Sequence, residues 1–238
     1  MTMADPTISV LVNARTTSSR LPRKLVLPFA GTTLIDITLE KMNRLDFFAH
    51  RYFGVAETEL REKACRYPNI EVLDRDPDAI KPGYNDHRKV FAHYEHVDSD
   101  YIMWLNPCHP LVSADTLRRA VDQVMTSRHN SYTSVIPTTD WIFDANGEPV
   151  TNTQPSMLSS AHSHRFYKVA HAFHVINKAF FLKEYQYWTL TRNDPALIEI
   201  PVEENYDVND LMEFQIAEAA YLRYLNNNEL RTPDVKES

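Results

Sequence analysis

The segment from Ile8 to Lys24 reads ISVLVNARTTSSRLPRK, and it decides how this chain folds. The run from Ile8 to Val12 is short, apolar and rich in β-branched side chains, which is typical of a strand buried on both faces of a sheet. It passes directly into polar and basic residues, as a strand does where it meets a loop. We therefore expect a first strand here, followed by a loop that carries chemistry.

Apolar patterns of the strand and helix type alternate along the rest of the chain. Thr33 is a candidate N-cap for the helix that follows the loop. Strands are predicted near 51–55, 70–73, 101–105, 132–136 and 166–176, and helices near 34–42, 57–66, 87–96, 113–127 and 210–225. This order predicts an α/β fold: a Rossmann-like, mostly parallel sheet with helices on both faces. Such sheets hold ligands beyond the carboxyl ends of their strands.

One domain, 1–238, accounts for the whole length. The alternation of strands and helices stops between Pro137 and His164, where a turn at Asp144–Gly147 and many Ser and Thr residues stand instead. We therefore expect an insertion or extension at about 138–176, and we expect it to support a homodimer.

Composition narrows the choice of partners. The net charge of −7 argues against broad binding of nucleic acid, so a polyanion has to be held by a local basic cluster. Cys65 and Cys108 are too few for a disulfide framework, which suits a reducing compartment. No stretch approaches the roughly 20 apolar residues of a membrane span. We expect a cytoplasmic protein with no nucleic-acid or membrane partner.

The loop after the first strand is that basic cluster. Arg15, Arg20, Arg23 and Lys24 stand in it with the four hydroxyl residues 16–19. Guanidinium and ammonium groups neutralise phosphate oxygens, and hydroxyls supply further donors, so the set suits a triphosphate. The glycines of a Walker A loop are missing. A solvated basic surface loop is the alternative interpretation.

The order of residues in the loop favours the triphosphate interpretation. The pattern A-R-x-x-S-S-R-L-P-x-K at 14–24 resembles the first motif of the cytidylyltransferases that activate sialic acids and 3-deoxy-manno-octulosonate. The segments 28–35, 101–112 and 207–219 resemble later motifs of the same family, in the same order. The resemblance implies a sheet of the nucleotide-diphospho-sugar transferase type.

The resemblance also implies which residues meet the nucleotide, with CTP as the donor. By position, the nucleotide-binding residues are Ala14, Arg15, Ser18, Ser19, Arg20, Lys24, Asn85 and Asp86. The last two open the helix with which the family reads base and ribose. Direct readout of cytosine is not visible in the sequence, so another nucleoside triphosphate stays an alternative.

A metal site is implied near the end of the chain. Asp207 stands where the family binds Mg²⁺, and Asn209 stands where the family has a second aspartate. A hard divalent cation prefers oxygen ligands and would bridge phosphate oxygens and the carboxylate. Asp207 therefore joins Arg15, Arg20 and Lys24 as the catalytic set. Turn formation and helix capping are the alternative roles for Asp207 and Asn209.

The acceptor side is where the chain departs from the family. The substrate-binding positions are Asn106, Arg165, Tyr167, Lys168 and His171. Asn106 replaces a longer glutamine, and His171 replaces the glycine of an N-G-A strand motif. Cys108 and His109 replace the small polar pair that follows the proline.

Taken together, the resemblance implies Mg²⁺-dependent transfer of CMP from CTP to an acidic acceptor, a sialic-acid-like or other 2-keto sugar acid, with release of pyrophosphate. Positioning and charge neutralisation would drive the reaction, without a protein nucleophile. Two alternatives remain open. The acceptor could be a phosphonate or a phosphorylated small molecule. The chain could also be a non-catalytic nucleotide-binding or scaffold protein of the same fold.

Overall fold

A computed structural model describes residues 5–151, 156, 159–160 and 164–229. Most of the Ser/Thr-rich part of the predicted extension, and the tail after residue 229, lie outside the described residues. Within the described ranges, no helix is both long and apolar enough to cross a membrane.

A seven-stranded sheet forms the centre of the described structure. Its strands are β1 (Ile8–Asn13), β2 (Arg51–Val55), β3 (Glu71–Asp74), β4 (Tyr101–Leu105), β5 (Ser131–Thr138), β6 (Phe166–Asn177) and β7 (Ala196–Glu199). The strand order is β3-β2-β1-β4-β6-β5-β7. The pairs β1–β2, β1–β4, β2–β3 and β5–β7 are parallel, whereas β6 is antiparallel to both of its neighbours. The predicted mostly parallel sheet is confirmed.

Strand β6 lies partly within the extension that was predicted at about 138–176. The run at 166–176 is a strand, as predicted, but it is a central strand that pairs with β4 on one side and β5 on the other. Residues 166–176 therefore belong to the sheet. Of the predicted extension, the described residues 139–151, 156, 159–160 and 164–165 are not part of the sheet.

Helices pack on both faces of the sheet, because alternate residues of a strand point to opposite faces. They are α1 (Leu34–Arg44), α2 (Thr58–Ala64), α3 (His87–Val90), α4 (Ala114–Ser127), α5 (Lys178–Glu184) and α6 (Leu211–Glu229). Val10 and Val12 of β1 join an apolar cluster with α1, α2, α4 and α6. Leu11, between them, joins a second cluster with Tyr94 and with Phe181 of α5. One core therefore lies on each face of the sheet.

Local sequence explains several helix boundaries. Thr33 is the N-cap of α1 and accepts a hydrogen bond from the Asp36 N–H, as predicted. The helix predicted at 87–96 is different: α3 is a single short turn, and a 3-10 turn, Ala92–His96, follows it. Phe91, Tyr94 and Val97 recur every third residue, which is the 3-10 period, and all three pack in the second core.

Two elements between β6 and α6 were not predicted. Asn177 caps α5 by accepting from the Phe180 N–H at 3.0 Å, and the helix buries Phe181 completely. Strand β7 adds a parallel edge next to β5. Both are short, so their apolar periodicity covers too few residues to be distinguished in the sequence.

Candidate active site

The site lies where the chain switches direction across the sheet. From β1 the chain moves through β2 to β3 on one side and then returns to β4 on the other side of β1. The carboxyl ends of β1 and β4 are therefore neighbours, which is the usual place for a ligand in such sheets. Asn13 ends β1, and Asn106 follows β4.

The basic loop is anchored at several points. The Arg23 N–H donates to the Thr16 carbonyl at 3.0 Å and closes the loop on itself. Glu57, just before α2, accepts from both the N–H and the hydroxyl of Thr16. The Ile80 carbonyl accepts from the Arg15 guanidinium at 3.0 Å and from the hydroxyl of Thr17. These contacts hold the loop against two neighbouring segments of the chain.

The loop and the end of β4 enclose a cavity of about 270 Å³, which we call the loop cavity. Its walls include Asn13, Arg15, Thr17, Ser18, Ser19, Arg20, Lys24, Trp104, Asn106, Pro107 and Cys108. The structure thus brings five of the six predicted loop residues to one cavity. The sixth, Ala14, is buried, and its carbonyl accepts from Arg75 at 3.3 Å. Strand geometry accounts for this, because Ala14 continues the inward alternation of β1.

Two loop cations reach the segment before α6. The Arg20 guanidinium donates to Asn209 Oδ1 at 2.7 Å. The Lys24 ammonium donates to the carbonyl of Val208 at 2.5 Å. Residues almost 190 positions apart therefore meet beside Asp207.

Asp207 is partly buried, and it has two polar neighbours. The Asn209 amide donates to Asp207 Oδ2 at 2.8 Å. His109 Nε2 lies 3.5 Å from Asp207 Oδ1, and the His109 side chain has no solvent exposure. Burial lowers the pKa of His109 to about 4, although the Asp207 carboxylate acts in the opposite direction. His109 is therefore a neutral imidazole packed against the carboxylate.

This geometry fits one carboxylate ligand for a divalent cation. Mg²⁺ is usually held by one or two carboxylates together with phosphate oxygens and water, and Asp207 supplies one of them. The Asn209 side chain already has two hydrogen-bond partners: its oxygen accepts from Arg20, and its nitrogen donates to Asp207. Among the described residues, no group of three or more His, Cys, Asp or Glu forms a metal cage.

The end of β4 is tied to an irregular part of β6. Asn106 donates from its amide to the His171 carbonyl at 3.0 Å and accepts from the Cys108 N–H. The pairing of β5 with β6 shifts register between Thr133 and Val135. The Ser134 hydroxyl accepts from the N–H groups of Ala172 and Phe173, which satisfies the backbone at this bulge.

His171 occupies the bulge in an unusual conformation. Its φ is 58°, in the left-handed region that favours glycine. This explains physically why the related N-G-A motif has glycine at this position. His171 Nδ1 lies 3.3 Å from His174 Nε2, so the bulge directs this side chain toward a second histidine.

Besides Ala14, four predicted residues line neither the loop cavity nor the cavity beside Asp207: Asn85, Asp86, Arg165 and Tyr167. Arg165 forms an ion pair with Glu199 at 2.5 Å and stacks over Tyr167, which is 44% exposed. Asp86 caps α3 by accepting from the Arg88 and Lys89 N–H groups, and Asn85 next to it is exposed. In contrast, Lys168 and His171 line a cavity of about 290 Å³ together with Asp207 and Asn209, which we call the Asp207 cavity.

Sequence reasoning missed a third cavity, of about 510 Å³. It is lined by His87, Phe91, Trp104, His171, His174, Tyr185, Gln186, Tyr187, Trp188 and Leu190, and we call it the aromatic cavity. Trp104 lines both this cavity and the loop cavity. The dense aromatic run Tyr185 to Trp188 was the one available signal.

Comparison with known proteins agrees with this geometry. Residues 9–218 match the family described as cytidylyltransferase. The chain resembles the structure of CMP:2-keto-3-deoxy-manno-octonic acid synthetase complexed with CTP, with a TM-score of 0.65 and 11% identity over 92% of this chain and 99% of that one. It also resembles 4-diphosphocytidyl-2C-methyl-D-erythritol synthase from Anaerococcus prevotii, with a TM-score of 0.65 and 13% identity over 92% of this chain and 97% of that one.

At 11% and 13% identity, the two structural likenesses show the fold alone. No curated protein matches the sequence at a significant level. The family match, in contrast, covers most of the chain and includes the basic loop, Asp207 and Asn209. It confirms the family that the loop motif indicated: the chain belongs to the cytidylyltransferases, and it is therefore a nucleotidyltransferase that uses CTP.

Proposed function

We propose that this enzyme transfers CMP from CTP to an acidic small-molecule acceptor, such as a 2-keto sugar acid, with Mg²⁺ and with release of pyrophosphate. The observation that supports the proposal is the contact of Arg20 with Asn209 and of Lys24 with the Val208 carbonyl. Two cations of the loop thereby lie close to the Asp207 carboxylate.

The loop residues bind and orient the triphosphate. Arg20 and Lys24 are donors whose present partners, an amide oxygen and a carbonyl, can be exchanged for phosphate oxygens. Charge-assisted hydrogen bonds to phosphate are stronger than these neutral ones. Ser18 and Ser19 add hydroxyl donors to the same cavity. The reaction then depends on positioning and charge neutralisation.

The bond changes are those of a substitution at phosphorus. An acceptor oxygen forms a bond to the α-phosphorus of CTP, and the bond from that phosphorus to the β-phosphate oxygen breaks. Pyrophosphate leaves with the electron pair, and a hydroxyl acceptor also loses its proton. Arg15, Arg20 and Lys24 stabilise the negative charge on the phosphates.

Asp207 is the residue proposed to hold Mg²⁺. A bound Mg²⁺ would neutralise charge on the phosphates and orient them. His109 packs against one carboxylate oxygen, and the Asn209 amide donates to the other. Asn209 thereby orients both Asp207 and Arg20, and we assign it this positioning role beside the metal.

The acidic character of the acceptor is supported by Lys168. Its exposed side chain lines the Asp207 cavity, close to where phosphate would be attacked. Arg165 is already paired with Glu199 in this structure. Lys168 is therefore the better candidate for contact with an acceptor carboxylate, and Asn106 holds the backbone beside it.

Pyrophosphate release tests the function. The enzyme is incubated with CTP and Mg²⁺ and with a panel of 2-keto sugar acids, phosphonates and phosphorylated small molecules. We expect turnover with one class of acid, and CTP at 100 times its Kd should stabilise the fold by about 2.7 kcal/mol. No turnover with any acceptor, together with no thermal shift by CTP, would refute the enzyme and favour a scaffold role.

We also propose that two copies associate through the segment 141–150. Ile142, Phe143 and Val150 are 43%, 56% and 63% exposed there. Such a cluster of exposed apolar side chains is typical of an interaction surface. Phe143→Lys should convert a dimer to a monomer in sedimentation velocity, and Leu222→Lys on α6 is the control. Unchanged sedimentation of the Phe143 variant would contradict this interface.

A further inference from the structure

The aromatic cavity is unlike the other two cavities at the sheet edge, and the proposed reaction leaves it without a role. Six of its side chains form the apolar wall: Phe91, Trp104, Tyr185, Tyr187, Trp188 and Leu190. At about 510 Å³ it is larger than the loop cavity and large enough for a small organic group.

The cavity wall carries no formal charge. Within the described part of the chain, no Lys, Arg, Asp or Glu lines it. The Arg88 guanidinium is nearby but lies over the Tyr185 ring, 4.9 Å from its centroid. Burial lowers the pKa of His174 to about 3, so this imidazole is neutral at ordinary pH. The wall therefore offers an anionic group no guanidinium or ammonium partner, in contrast to the loop cavity.

A polyhydroxylated group suits this wall poorly. Each hydroxyl that enters an apolar cavity without a partner loses its hydrogen bonds to water, and that loss opposes binding. An aromatic or aliphatic group gains from the same surroundings, because it leaves water and packs against rings. Trp104 and His174 already stack with planes 8° apart, so one side of the cavity is flat.

The cavity is next to the proposed reaction. Trp104 lines both the aromatic cavity and the loop cavity, so a molecule in one is adjacent to a molecule in the other. His171 lines both the aromatic cavity and the Asp207 cavity. The aromatic cavity therefore borders both cavities in which the proposed reaction is placed.

His171 and His174 provide polar groups where the aromatic cavity borders the Asp207 cavity. Thr133 Oγ1 lies 2.9 Å from His174 Nδ1, and His174 Nε2 lies 3.3 Å from His171 Nδ1. These contacts join the Thr133 hydroxyl and the two imidazoles in one chain, in which the histidine tautomers set which atom donates. When Thr133 donates to His174, His174 donates to His171, and the other nitrogen of His171 carries a proton that it can donate to a ligand oxygen.

We infer that the acceptor carries an aromatic or branched aliphatic group, that this group occupies the aromatic cavity, and that its acidic oxygen lies toward Asn106 and the loop cavity. The inference rests on the proposed function and narrows its acceptor to acids that carry such an apolar group, so a sugar acid without one is not the acceptor. The acceptor is then an amphipathic acid, with the anionic end among the cations and the apolar end among the rings. The bonds formed and broken at phosphorus are those given above.

Fluorescence provides a direct test, because Trp104, Trp141 and Trp188 are all the tryptophans of the chain. In a Trp141→Phe background, emission comes only from the two tryptophans of the aromatic cavity. Phenylphosphonate should quench this emission saturably, and methylphosphonate at the same concentration should not. Equal quenching by both compounds, or by neither, would overturn the inference.

Two leucine variants provide a matched pair. Leu190→Asp places a carboxylate on the cavity wall and should weaken phenylphosphonate binding by roughly tenfold, since the ring then meets a charge. Leu222→Asp, at an exposed leucine of α6 on the other face of the sheet, should leave it within about twofold, since surface changes away from a site have small effects. Equal effects in the pair would contradict binding in this cavity.

Nucleotide titrations separate failure of the inference from failure of the proposed function. If cytidine displaces phenylphosphonate, the aromatic cavity holds the base and the inference is wrong. If CTP binds by calorimetry but phenylphosphonate does not, the function stands and the inference fails. If phenylphosphonate binds but CTP does not, the cavity assignment stands and the proposed function fails.

Discussion

The loop cavity and the aromatic cavity share Trp104, but they differ in charge and in the origin of their residues. Most of the loop cavity comes from one contiguous segment, 13–25, with Arg and Lys side chains. The aromatic cavity is assembled from α3, β4, β6 and the segment 185–190. The difference teaches that the loop cavity is encoded by one local segment, whereas the aromatic cavity is formed by tertiary packing.

The largest effect is expected at Asp207. Asp207→Asn removes the one carboxylate proposed for Mg²⁺ and should lower turnover roughly a hundredfold or more, because metal charge stabilisation is worth several kcal/mol. The readout is kcat as a function of Mg²⁺ concentration. Asp210→Asn is the control, because Asp210 is exposed and accepts from the Glu213 N–H at the start of α6. Equal losses in the two variants would show that charge at this end of the sheet, and not a metal ligand, matters.

The next largest effect separates two arginines of the loop. Arg20→Asn should weaken CTP binding by about 1.5–3 kcal/mol, the value of a charge-assisted hydrogen bond. Arg23→Asn should leave CTP affinity unchanged, because Arg23 pairs with Glu59 on the outside of the loop. Asparagine also tolerates the left-handed backbone of Arg23. Calorimetric titration measures both, and similar affinities would remove the phosphate role of Arg20.

For the aromatic cavity, we expect that pH changes the free energy of unfolding through His174. The pKa of His174 is lowered to about 3 by burial, whereas an unfolded histidine titrates near 6.5. As the pH falls, the unfolded chain therefore takes up the proton first. The contribution of neutral His174 to the free energy of unfolding is fully present above pH 6.5 and is lost as the pH falls toward 3. At pH 5 the loss should be about 2 kcal/mol.

His174→Gln removes this titration. The difference in unfolding free energy between the natural protein and the variant should therefore shrink between pH 7 and pH 5, as measured by urea denaturation. A difference that does not change with pH would mean that His174 is not held neutral, and the contrast between the two cavities would weaken.

The smallest effect is expected at His171, on the boundary between cavities. A left-handed residue with a side chain costs about 1–2 kcal/mol, and glycine avoids that cost. His171→Gly should therefore be more stable than His171→Ala by about 1 kcal/mol, or roughly 2–4 °C in Tm. Alanine is the matched control, since it also removes the imidazole but keeps Cβ. Equal melting temperatures would contradict the left-handed conformation.

The first half of the fold could be predicted from the sequence because its signals are local. The apolar run of β1, the Thr33 cap and the apolar strand β4 each show a period or a capping residue within a few positions. Strand β6 was predicted as a strand, but its antiparallel pairing between β4 and β5 was not. Pairing joins residues far apart in the chain, and no local pattern records it.

The aromatic cavity could not be predicted for a similar reason. Tyr185 ends α5 in a left-handed conformation, with a φ of 53°, and the chain then turns over the rings of the second core. Helices commonly end this way at glycine, and the sequence has tyrosine there instead. The sequence therefore contains no residue that marks this turn, and the aromatic run from Tyr185 to Trp188 was not predicted to line a cavity.

The sequence by itself determined the family, the sheet class and the cations of the loop, because these depend on contiguous residues and on periodicity. Tertiary structure alone decided that Arg20 meets Asn209, that Arg165 pairs with Glu199, and that Trp104 separates a charged cavity from a neutral one. The physical reason is range: hydrogen bonds, ion pairs and desolvation act over a few ångströms in space, between residues that the chain holds far apart.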